Sequence, residues 1–559
     1  MNMGIIPDPI IRLSYIIHYF LKERTSFGDM CMEISSLKAQ IPSYISHIGI
    51  ADTLVDENSL NEAIRRLELQ LKIVIYTHND TTYIYDYENF YIEDKTAYDL
   101  SKLLVDDNNY KTSLFTTEHL QHFFSSYEKE NNINLGPEQK KAVISSATNR
   151  FSIITGGAGV GKTLTIRALI SLLEKNSMSY ILTAPTGRAA KKMTEVTGIS
   201  AYTLHRLLYI GADDSIDIDE IDINCDYIIC DESSMISATI FKSLIYACTE
   251  KNISLVLVGD HNQLPPVGKG FVFNELIKSS IIPVTKLTKL YRQAENSQIY
   301  NNALKVLKGV KYNDPDGLTF KLEKQDFFFF STQTQNATKN LILKCVNNLM
   351  SLGMTMDDIV ILSPMAKSAL GSIELNKFIQ SCINTNKDGA IEFSNSKYVF
   401  RVGDKVMQIK NNYQIEVSDE RGNKNFGVFN GDIGIIENID LDNDLFTIKY
   451  DNGVMGTSHV TYNIDDADQI SLAYALTVHK SQGCEFPCVI LPYDYSFTNI
   501  NRNMIYTSIT RAKKRVIMLG EPDVMFKGIQ KIDSTNIISN LNNMLENHYN
   551  NLKYIPKGA

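Results

Sequence analysis

No apolar run in this sequence reaches ~18 residues, the length at which a transmembrane helix becomes a candidate, so we expect none. The first residues are also interrupted by Pro7, Pro9 and Arg12, which predicts an amphipathic helix rather than a signal peptide. We therefore expect a cytoplasmic protein that has no membrane partner.

Clustered cysteines are missing as well. The eight cysteines are scattered, and neither Cys225/Cys230 nor Cys484/Cys488 is joined by a second pair at the spacing of a zinc site. Reduced, structural thiols are the default interpretation, in keeping with a cytoplasmic chain.

The sequence also lacks a positive net charge, internal repeats, low-complexity segments and a nuclease-like cluster of acids with a lysine. Its formal net charge is −9, so a nucleic-acid partner would need a local basic track. With 44% hydrophobic and 21% charged residues, the composition is typical of a globular protein. A length of 559 residues predicts about three to five domains.

What the sequence does contain is a phosphate-binding loop. An apolar run, Phe151 to Ile154, predicts a strand before the loop, and a helical pattern follows it. Lysine at the sixth position after the first glycine reaches β- and γ-phosphates, and the hydroxyl after it ligates magnesium, so ATP and Mg²⁺ are the predicted cofactors. The pattern G-x-x-x-x-G-K-[ST] is matched by Gly156, Gly157, Ala158, Gly159, Val160, Gly161, Lys162 and Thr163.

A second segment supplies acids for the same site. Tyr227 to Cys230 predicts a short buried strand, and Asp231 and Glu232 follow it directly. Asp231 is expected to hold the Mg²⁺ shell, and Glu232 to orient and deprotonate the attacking water. Many surface strands end in two acids; the order after the phosphate loop favours the catalytic interpretation.

A third segment, Leu255 to Val267, predicts a buried strand that runs into the polar turn GDHNQLPPV. Gln263 there is neutral and carries both a donor and an acceptor, as a sensor of a γ-phosphate requires. This segment resembles motif III of superfamily 1 helicases. Segments that resemble the other motifs of that superfamily follow in the expected order, namely NLGPEQ at 134–139, TAPTGRAA at 183–190, TLHRLL at 203–208, LYRQ at 290–293, LTVHKSQG at 476–483 and YTSITRAK at 506–513.

The sequences of these motifs are similar to those of the RecD-like branch, superfamily 1B. The resemblance implies an α/β fold in which two RecA-like P-loop motor domains sandwich one ATP. It also implies that Gln139 reads adenine and that Arg292 and Arg511 neutralise the γ-phosphoryl group. Tyr291 would stack on adenine or simply pack, and Glu485 would touch the ribose.

DNA contacts are implied at the same motifs. Pro185, Thr186 and Arg188 lie at a predicted strand end that opens a helix, which suits phosphate contact through backbone N–H groups. His205 would stack on a base or bond a phosphate, or else be structural. The second motor domain would add Thr477, His479 and Lys480.

Two stretches fall outside the motor pattern. The β-rich segment from Val402 to about Tyr462 has alternating apolar runs and turn signals, and it resembles the SH3-like 2B insertion of the family. Near the start, a helical pattern at 59–71 is followed by two strand-like runs around Asn79-Asp80, which suggests a winged-helix-like module that binds DNA, binds a protein or only packs. An acidic stretch lies between these two at 209–226. Its acidic side chains would repel DNA phosphates, so we do not expect it to separate the strands of a duplex.

The predicted layout has six parts. They are an N-terminal accessory α+β module at 1–115, motor domain 1A at 116–285 with a small 1B element at about 207–226, the first part of motor domain 2A at 286–400, the SH3-like 2B insertion at 401–465, the second part of 2A at 466–545, and a tail at 546–559.

The resemblance predicts an ATP-dependent DNA helicase or translocase that moves 5′ to 3′ on single-stranded DNA. Its partners would be single-stranded and tailed duplex DNA, with a protein partner at the N-terminal module or the 2B insertion, in repair, recombination or anti-phage defence. Two alternatives stay open. One is an RNA helicase of the same superfamily, and the other is a non-motor ATP switch that serves as a DNA-binding subunit.

Overall fold

Two parallel β-sheets, each covered by helices, account for most of the chain. An antiparallel module precedes the first sheet, and a larger antiparallel sheet is inserted into the second. The computed structural model describes residues 8–50, 55–105, 114–210, 223–290, 297–309, 326–385, 391–419, 424–451, 456–531 and 537–553.

The N-terminal module combines four helices with a three-stranded antiparallel sheet of order β1-β3-β2. The predicted helix and hairpin are present, and Asn79 and Asp80 turn the hairpin with φ of 45° and 62°, as a type I′ turn requires. The winged-helix interpretation stays a prediction. The elements are α1 (Pro9–Ser26), β1 (Cys31–Glu33), α2 (Ile34–His47), α3 (Glu57–Leu69), β2 (Ile73–His78), β3 (Thr81–Asp86) and α4 (Tyr87–Val105).

The first parallel sheet has six strands in the order β6-β5-β7-β8-β4-β9. Its central strands are buried on both faces, which explains their continuous apolar runs. The strands are β4 (Phe151–Gly156), β5 (Tyr180–Ala184), β6 (Ala201–Thr203), β7 (Tyr227–Cys230), β8 (Ser254–Gly259) and β9 (Val284–Leu287). The helices are α5 (Thr117–Asn131), α6 (Pro137–Thr148), α7 (Lys162–Lys175), α8 (Gly187–Thr197), α9 (Leu204–Leu207), α10 (Ala238–Glu250) and α11 (Val272–Lys278).

The second parallel sheet has five strands in the order β10-β23-β22-β11-β21. In β10, Phe327, Phe328 and Phe329 are buried and Phe330 is half-buried. The strands are β10 (Phe327–Ser331), β11 (Ile359–Ser363), β21 (Ala475–Thr477), β22 (Phe486–Tyr493) and β23 (Ala512–Gly520). The helices are α12 (Gln298–Leu307), α13 (Gln335–Ser351), α14 (Ser372–Ile383), α15 (Arg502–Thr510) and α16 (Pro522–Gln530).

The insertion between α14 and β21 is β-rich, as its turn signals indicate. Its strands run from Glu392 to Leu472, beyond both limits of the sequence pattern, and the main sheet has the order β16-β15-β19-β18-β17-β14-β20. The strands are β12 (Glu392–Ser394), β13 (Val399–Arg401), β14 (Lys405–Gln408), β15 (Asn412–Asp419), β16 (Lys424–Val428), β17 (Ile433–Asp440), β18 (Leu445–Asp451), β19 (Thr457–Asn463) and β20 (Ile470–Leu472). Its core is continuous with that of the second sheet, since Val406 and Phe446 belong to the same hydrophobic cluster as Ile361.

The last helix, α17 (Leu541–Lys553), packs against α4 and α11 rather than on the second sheet. Leu541 and Leu545 share a hydrophobic cluster with Leu100 of α4 and Leu276 of α11. The predicted boundary at residue 545 therefore falls inside a helix. The chain end joins the N-terminal module to the first parallel sheet.

Candidate nucleotide site and nucleic-acid interface

The phosphate loop connects β4 to α7 at the carboxyl edge of the first sheet. Gly159 and Gly161 have φ of 79° and 83°, a conformation that glycine adopts without strain. The ammonium of Lys162 donates to the carbonyls of Gly156 and Gly157, at 2.7 and 2.9 Å. The lysine is thus held across the loop, where a bound phosphate would replace the two carbonyls as its partner.

Asp231 and Glu232 leave β7 at the same edge, because the carboxyl ends of parallel strands meet there. The Glu232 N–H donates to Asp231 Oδ1 at 2.8 Å, and Glu232 has a left-handed φ of 52°. Burial raises the pKa of Asp231, the Glu232 carboxylate raises it further, and the charge of Lys162 acts in the opposite direction. The three predicted residues therefore share one electrostatic environment.

Thr163 is the second residue of α7, and its hydroxyl and the Asp231 carboxylate are oxygen donors of the kind that Mg²⁺ prefers. Among the described residues, no group of three or more histidine, cysteine or acidic side chains could hold a metal. This donor set fits a Mg²⁺ held by one or two protein oxygens and by nucleotide phosphates, and it does not fit a metal enclosed by protein ligands.

Gln263 lies in the turn after β8 and is 5% exposed. Within the described part of the chain, its Oε1 atom has no hydrogen-bond partner. A buried amide oxygen without a donor is costly, and a ligand or a water that it binds would remove that cost. This geometry suits the predicted phosphate-sensing role.

The turn that carries Gln263 is tied to the second sheet by three hydrogen bonds. Asp260 accepts from the Tyr506 hydroxyl at 2.7 Å, and the Leu264 N–H donates to Thr507 Oγ1 at 3.2 Å. The Leu264 carbonyl in turn accepts from Gln482 Nε2 at 3.3 Å. A movement of this turn, which lies beside the phosphate loop, would therefore be transmitted to the motif segments of the second sheet that contain Gln482 and Tyr506.

Arg511 is only 3% exposed and bonds to backbone carbonyls of its own half of the molecule. Its Nη1 donates to Cys484 O at 3.2 Å and its Nε to Thr507 O at 3.4 Å. The neighbouring Glu485 forms an ion pair with Lys192 of α8 at 2.6 Å and a longer one with Lys513 at 3.6 Å.

Burial alone would raise the pKa of Glu485, but the charges of Lys192, Arg511 and Lys513 outweigh it and lower the pKa to about 2. The carboxylate is therefore ionised at neutral pH and joins the two halves of the molecule. Its predicted contact with a ribose stays a prediction.

The remaining nucleotide-site predictions divide into two groups. Gln139 is 1% exposed, accepts from the Gly136 N–H at 2.9 Å and donates to Gly161 O at 3.3 Å, so it touches the phosphate loop from α6. Tyr291 and Arg292 lie outside the described residues.

The predicted DNA-binding residues fall at three places. Thr186, next to Pro185, caps α8 by accepting from the Ala189 N–H at 3.3 Å. Arg188 donates to Gly431 O of the insertion at 3.2 Å and lies 5.3 Å from the centre of the Phe486 ring. The first turn of α8 thus lies where the first sheet, the insertion and the second sheet meet.

The second place is the turn after β21. Thr477 Oγ1 accepts from the Lys480 N–H at 3.3 Å, and His479 lies between them. Burial lowers the pKa of Lys480, and the like charge of Lys397 lowers it further. The third place is separate from both. His205 lines a cavity with Val267 and Lys269 on the first sheet's side.

Sequence reasoning missed three residues of this region. Tyr506 lies in a motif segment that implies no role for it, although it reaches Asp260 and would lie 2.8 Å from a Cβ added at Gly157. Tyr300 and His261 line a cavity of about 260 Å³ beside the loop. Isolated tyrosines and histidines carry no distinguishing pattern in a single sequence, so only the packing reveals them.

Three family models match the chain. One described as "AAA domain" matches residues 134–317, one described as "ATP-dependent RecD-like DNA helicase SH3 domain" matches 375–450, and one described as "UvrD-like helicase C-terminal domain" matches 472–519. No helix in the part of the chain that the structure describes is long and apolar enough to cross a bilayer.

Two curated relatives illustrate the similarity. An ATP-dependent RecD2 DNA helicase of Deinococcus radiodurans is 31% identical over 388 residues, which cover 69% of this chain and 49% of the relative. A RecBCD enzyme subunit RecD of Buchnera aphidicola is 26% identical over 476 residues, covering 70% of this chain and 74% of the relative. The chain thus spans about half the length of the Deinococcus protein.

A solved structure, Bacteroides Pif1 bound to single-stranded DNA, is similar at 18% identity and a TM-score of 0.41, covering 69% of this chain and 92% of that one.

The phosphate loop, the acids of β7 and the ordered motifs define a P-loop protein of the superfamily 1 helicase class. Within that class, the chain is similar to the RecD-like helicases, through the SH3 domain model and the two relatives. The predicted mixed α/β P-loop fold with an SH3 domain is confirmed. The pairing of two RecA-like motor domains stays a prediction.

Proposed function

We propose that this chain is an ATP-dependent DNA helicase that couples ATP hydrolysis to 5′-to-3′ movement on single-stranded DNA. The observation that carries the proposal is the linkage of the phosphate edge to the second sheet through Asp260, Leu264, Tyr506 and Thr507. A site that only stores nucleotide needs no such linkage, whereas a motor must transmit the state of its γ-phosphate.

The residues of the first sheet divide the ATP chemistry. Lys162 exchanges its two loop carbonyls for β- and γ-phosphate oxygens, and Gln263 gains a partner for its buried Oε1. Glu232 orients and deprotonates the attacking water. Mg²⁺, held by Thr163 and Asp231, would neutralise phosphate charge.

The second half of the molecule completes the site. Arg511 stabilises negative charge that develops on the γ-phosphoryl group once its bonds to Thr507 O and Cys484 O are exchanged. By the resemblance alone, Arg292 supplies a second cation and Tyr291 stacks on adenine. Glu485, as an ionised carboxylate, accepts a hydrogen bond from a ribose hydroxyl or remains paired with Lys192.

Single-stranded DNA is proposed to contact both halves. On the first, Thr186, Arg188 and the N-terminal amides of α8 bind phosphates, and His205 contacts a base or a phosphate. On the second, Thr477, His479 and Lys480 bind the same strand, so a change in the cleft moves one set of contacts past the other. The direction of movement is inferred from the family alone, as are a cytoplasmic location and a role in repair, recombination or anti-phage defence.

One set of measurements tests the proposal. ATP hydrolysis is measured without nucleic acid, with single-stranded DNA and with single-stranded RNA, and unwinding is measured on duplexes with 5′ or 3′ tails. We expect stimulation by DNA and unwinding only with 5′ tails. Equal or stronger stimulation by RNA would favour an RNA helicase, and hydrolysis without any unwinding would favour an ATP switch that licenses a partner enzyme.

A further inference from the structure

Tyrosines and lysines are interspersed along the seam where α4 packs on α10, and none of them belongs to a helicase motif. On α4 they are spaced by three or four residues, so they share one helical face. On α10 the same holds for a lysine and a tyrosine four residues apart. This tyrosine–lysine seam consists of Tyr87, Tyr91, Lys95, Tyr98 and Lys102 of α4 with Lys242 and Tyr246 of α10.

The cations lie over the rings. Lys242 Nζ is 5.3 Å from the centre of the Tyr91 ring, and Lys95 Nζ is 5.0 Å from that of Tyr246 and 5.6 Å from that of Tyr98. These distances fall within the range of cation–π contacts. The arrangement therefore holds positive charge beside aromatic faces along two turns of the seam.

The seam begins at two exposed rings. Tyr91 is 50% exposed and Tyr87 is 47% exposed, although both belong to a helix that otherwise packs into the protein. Exposed aromatic rings beside lysines form a platform on which bases stack while the ammonium groups bind phosphates. An apolar protein partner would not require the lysines.

Two acids of α4 beside the seam are paired with lysines. Glu88 accepts from Lys269 Nζ at 2.6 Å, and Asp99, which is fully buried, accepts from Lys95 Nζ at 2.7 Å. Burial lowers the pKa of Lys242, and the charges of Lys269 and Lys95 lower it further, while Glu88 and Asp99 act in the opposite direction. An anion placed beside Lys242 would favour its charged form.

The seam is continuous with the cavity that contains His205. Thr239 lines that cavity together with Lys269, and Thr239, Lys242 and Tyr246 lie on one face of α10 by their spacing. At the rise of an α-helix, the seven residues that follow Thr239 along α10 extend about 10 Å from the cavity. A strand that leaves the cavity along α10 meets the lysines and rings in turn.

We propose that the tyrosine–lysine seam is a second binding surface for single-stranded DNA, which receives the strand where it leaves the His205 cavity. Bases stack on Tyr91 and Tyr87, and Lys242 binds a phosphate between them. The seam lengthens the strand path beyond the helicase motifs and gives the N-terminal module a nucleic-acid role. The proposal rests on the proposed function for the position of the strand at His205.

The test uses the full chain and oligothymidylates of two lengths. The short one is just long enough to stimulate ATP hydrolysis fully, and the long one extends well beyond it. Tyr91→Ala should weaken binding of the long oligonucleotide about fivefold or more and leave the short one unchanged. Lys242→Ala should lower the slope of log affinity against log salt by about 0.7 for the long oligonucleotide.

A matched control lies on the same module. Lys72 Nζ lies 4.9 Å from the ring centre of Tyr15, which is 59% exposed, so this pair has the same chemistry away from the seam. Tyr15→Ala and Lys72→Ala should bind both lengths as the unmodified chain does. Tyr91→Phe, which keeps the ring, should also bind normally.

Three results would overturn the proposal. In the first, the seam variants and the control variants bind both lengths equally well, which would mean that the seam binds an acidic protein surface instead of DNA. In the second, both lengths weaken equally, which would mean that the motor itself was damaged. In the third, only Lys242→Ala has an effect, which would mean charge attraction without stacking. If the unmodified chain binds neither length, the proposed function fails together with this inference, so the two failures are distinguishable.

Discussion

The Tyr506 hydroxyl donates a 2.7 Å hydrogen bond to the Asp260 carboxylate, joining a helix of the second sheet to the turn that carries Gln263. Asp260 is fully buried and Tyr506 is 2% exposed. Burial raises the pKa of Tyr506, and the Asp260 carboxylate raises it further, so the phenol stays protonated and keeps donating. The same ring lies against the phosphate loop, since a Cβ at Gly157 would be 2.8 Å from its hydroxyl.

Removing this hydroxyl should uncouple hydrolysis from DNA more than it weakens ATP binding. Tyr506→Phe leaves a buried carboxylate without this donor, which costs about 1–3 kcal/mol of stability. We expect a lower DNA-stimulated kcat with a nearly unchanged KM for ATP. Steady-state kinetics beside urea unfolding measure both effects.

The control for stability is Tyr462→Phe, which removes a buried hydroxyl that donates to Gln408 Oε1 at 3.1 Å within the insertion. A similar loss of stability with normal DNA stimulation is expected there. If both variants lost stimulation equally, Tyr506 would have only a structural role.

The second prediction separates phosphate binding from water activation. Lys162→Ala should abolish ATP turnover, because it removes the cation that reaches the β- and γ-phosphates. Glu232→Gln should bind nucleotide normally and fail to hydrolyse it, because the amide cannot accept a proton from water. Nucleotide binding by fluorescence and phosphate release measure the two steps. Hydrolysis at the unmodified rate by Glu232→Gln would exclude this residue as the base.

The contiguous motifs were predictable because their function is local. The phosphate loop needs its glycines and Lys162 within one turn of chain, so the pattern alone indicates strand, loop and helix. The contact of Tyr506 with Asp260 joins residues 246 positions apart and depends on how the two sheets pack. The same reason hides the seam of α4 and α10, because its three lysines and four tyrosines look ordinary in the sequence until the two helices pack together. The limits of the insertion were missed because its outer strands are short.

Arg511 is expected to act mainly in the transition state. Arg511→Ala should lower the hydrolysis rate by ~10³-fold or more while ATP affinity stays within about tenfold. The matched control is Arg515→Ala, which removes an arginine on the adjoining strand outside the motif position. Single-turnover hydrolysis and equilibrium binding distinguish the cases. Equal losses in affinity and rate would instead assign Arg511 to ground-state phosphate binding.

Glu93 should make stability depend on pH. It is 2% exposed and accepts from Tyr85, Ser539 and the Asn540 N–H, and burial raises its pKa to about 7. The folded state thus holds a proton that the unfolded chain releases near pH 4.5. The contribution of this proton to the free energy of unfolding is complete below pH 4.5. It is lost as the pH rises to about 7, by up to roughly 1.4 kcal/mol per pH unit.

Urea unfolding between pH 4.5 and 8 measures that slope. Glu93→Gln loses one acceptor at the junction of α4 with the C-terminal segment, so it should be less stable at low pH, but this part of the pH dependence should disappear. An unchanged slope in Glu93→Gln would assign the titration to another group.

The insertion should guide the strand through its contact with α8, and a small substitution tests this better than deletion. Removing the insertion would cut the hydrophobic core that it shares with the second sheet. A Cβ at Gly187 would instead lie 2.4 Å from the Phe429 Cβ, so Gly187→Ala forces only this contact apart. We expect unwinding of a tailed duplex to fall more than single-strand-stimulated ATP hydrolysis, because Lys162, Asp231 and Glu232 are untouched.

Phe429→Gly removes the opposing Cβ, so the double variant should recover unwinding. If Gly187→Ala lowered both rates equally and Phe429→Gly restored neither, the defect would lie in α8 itself and the insertion would have no part in guiding the strand.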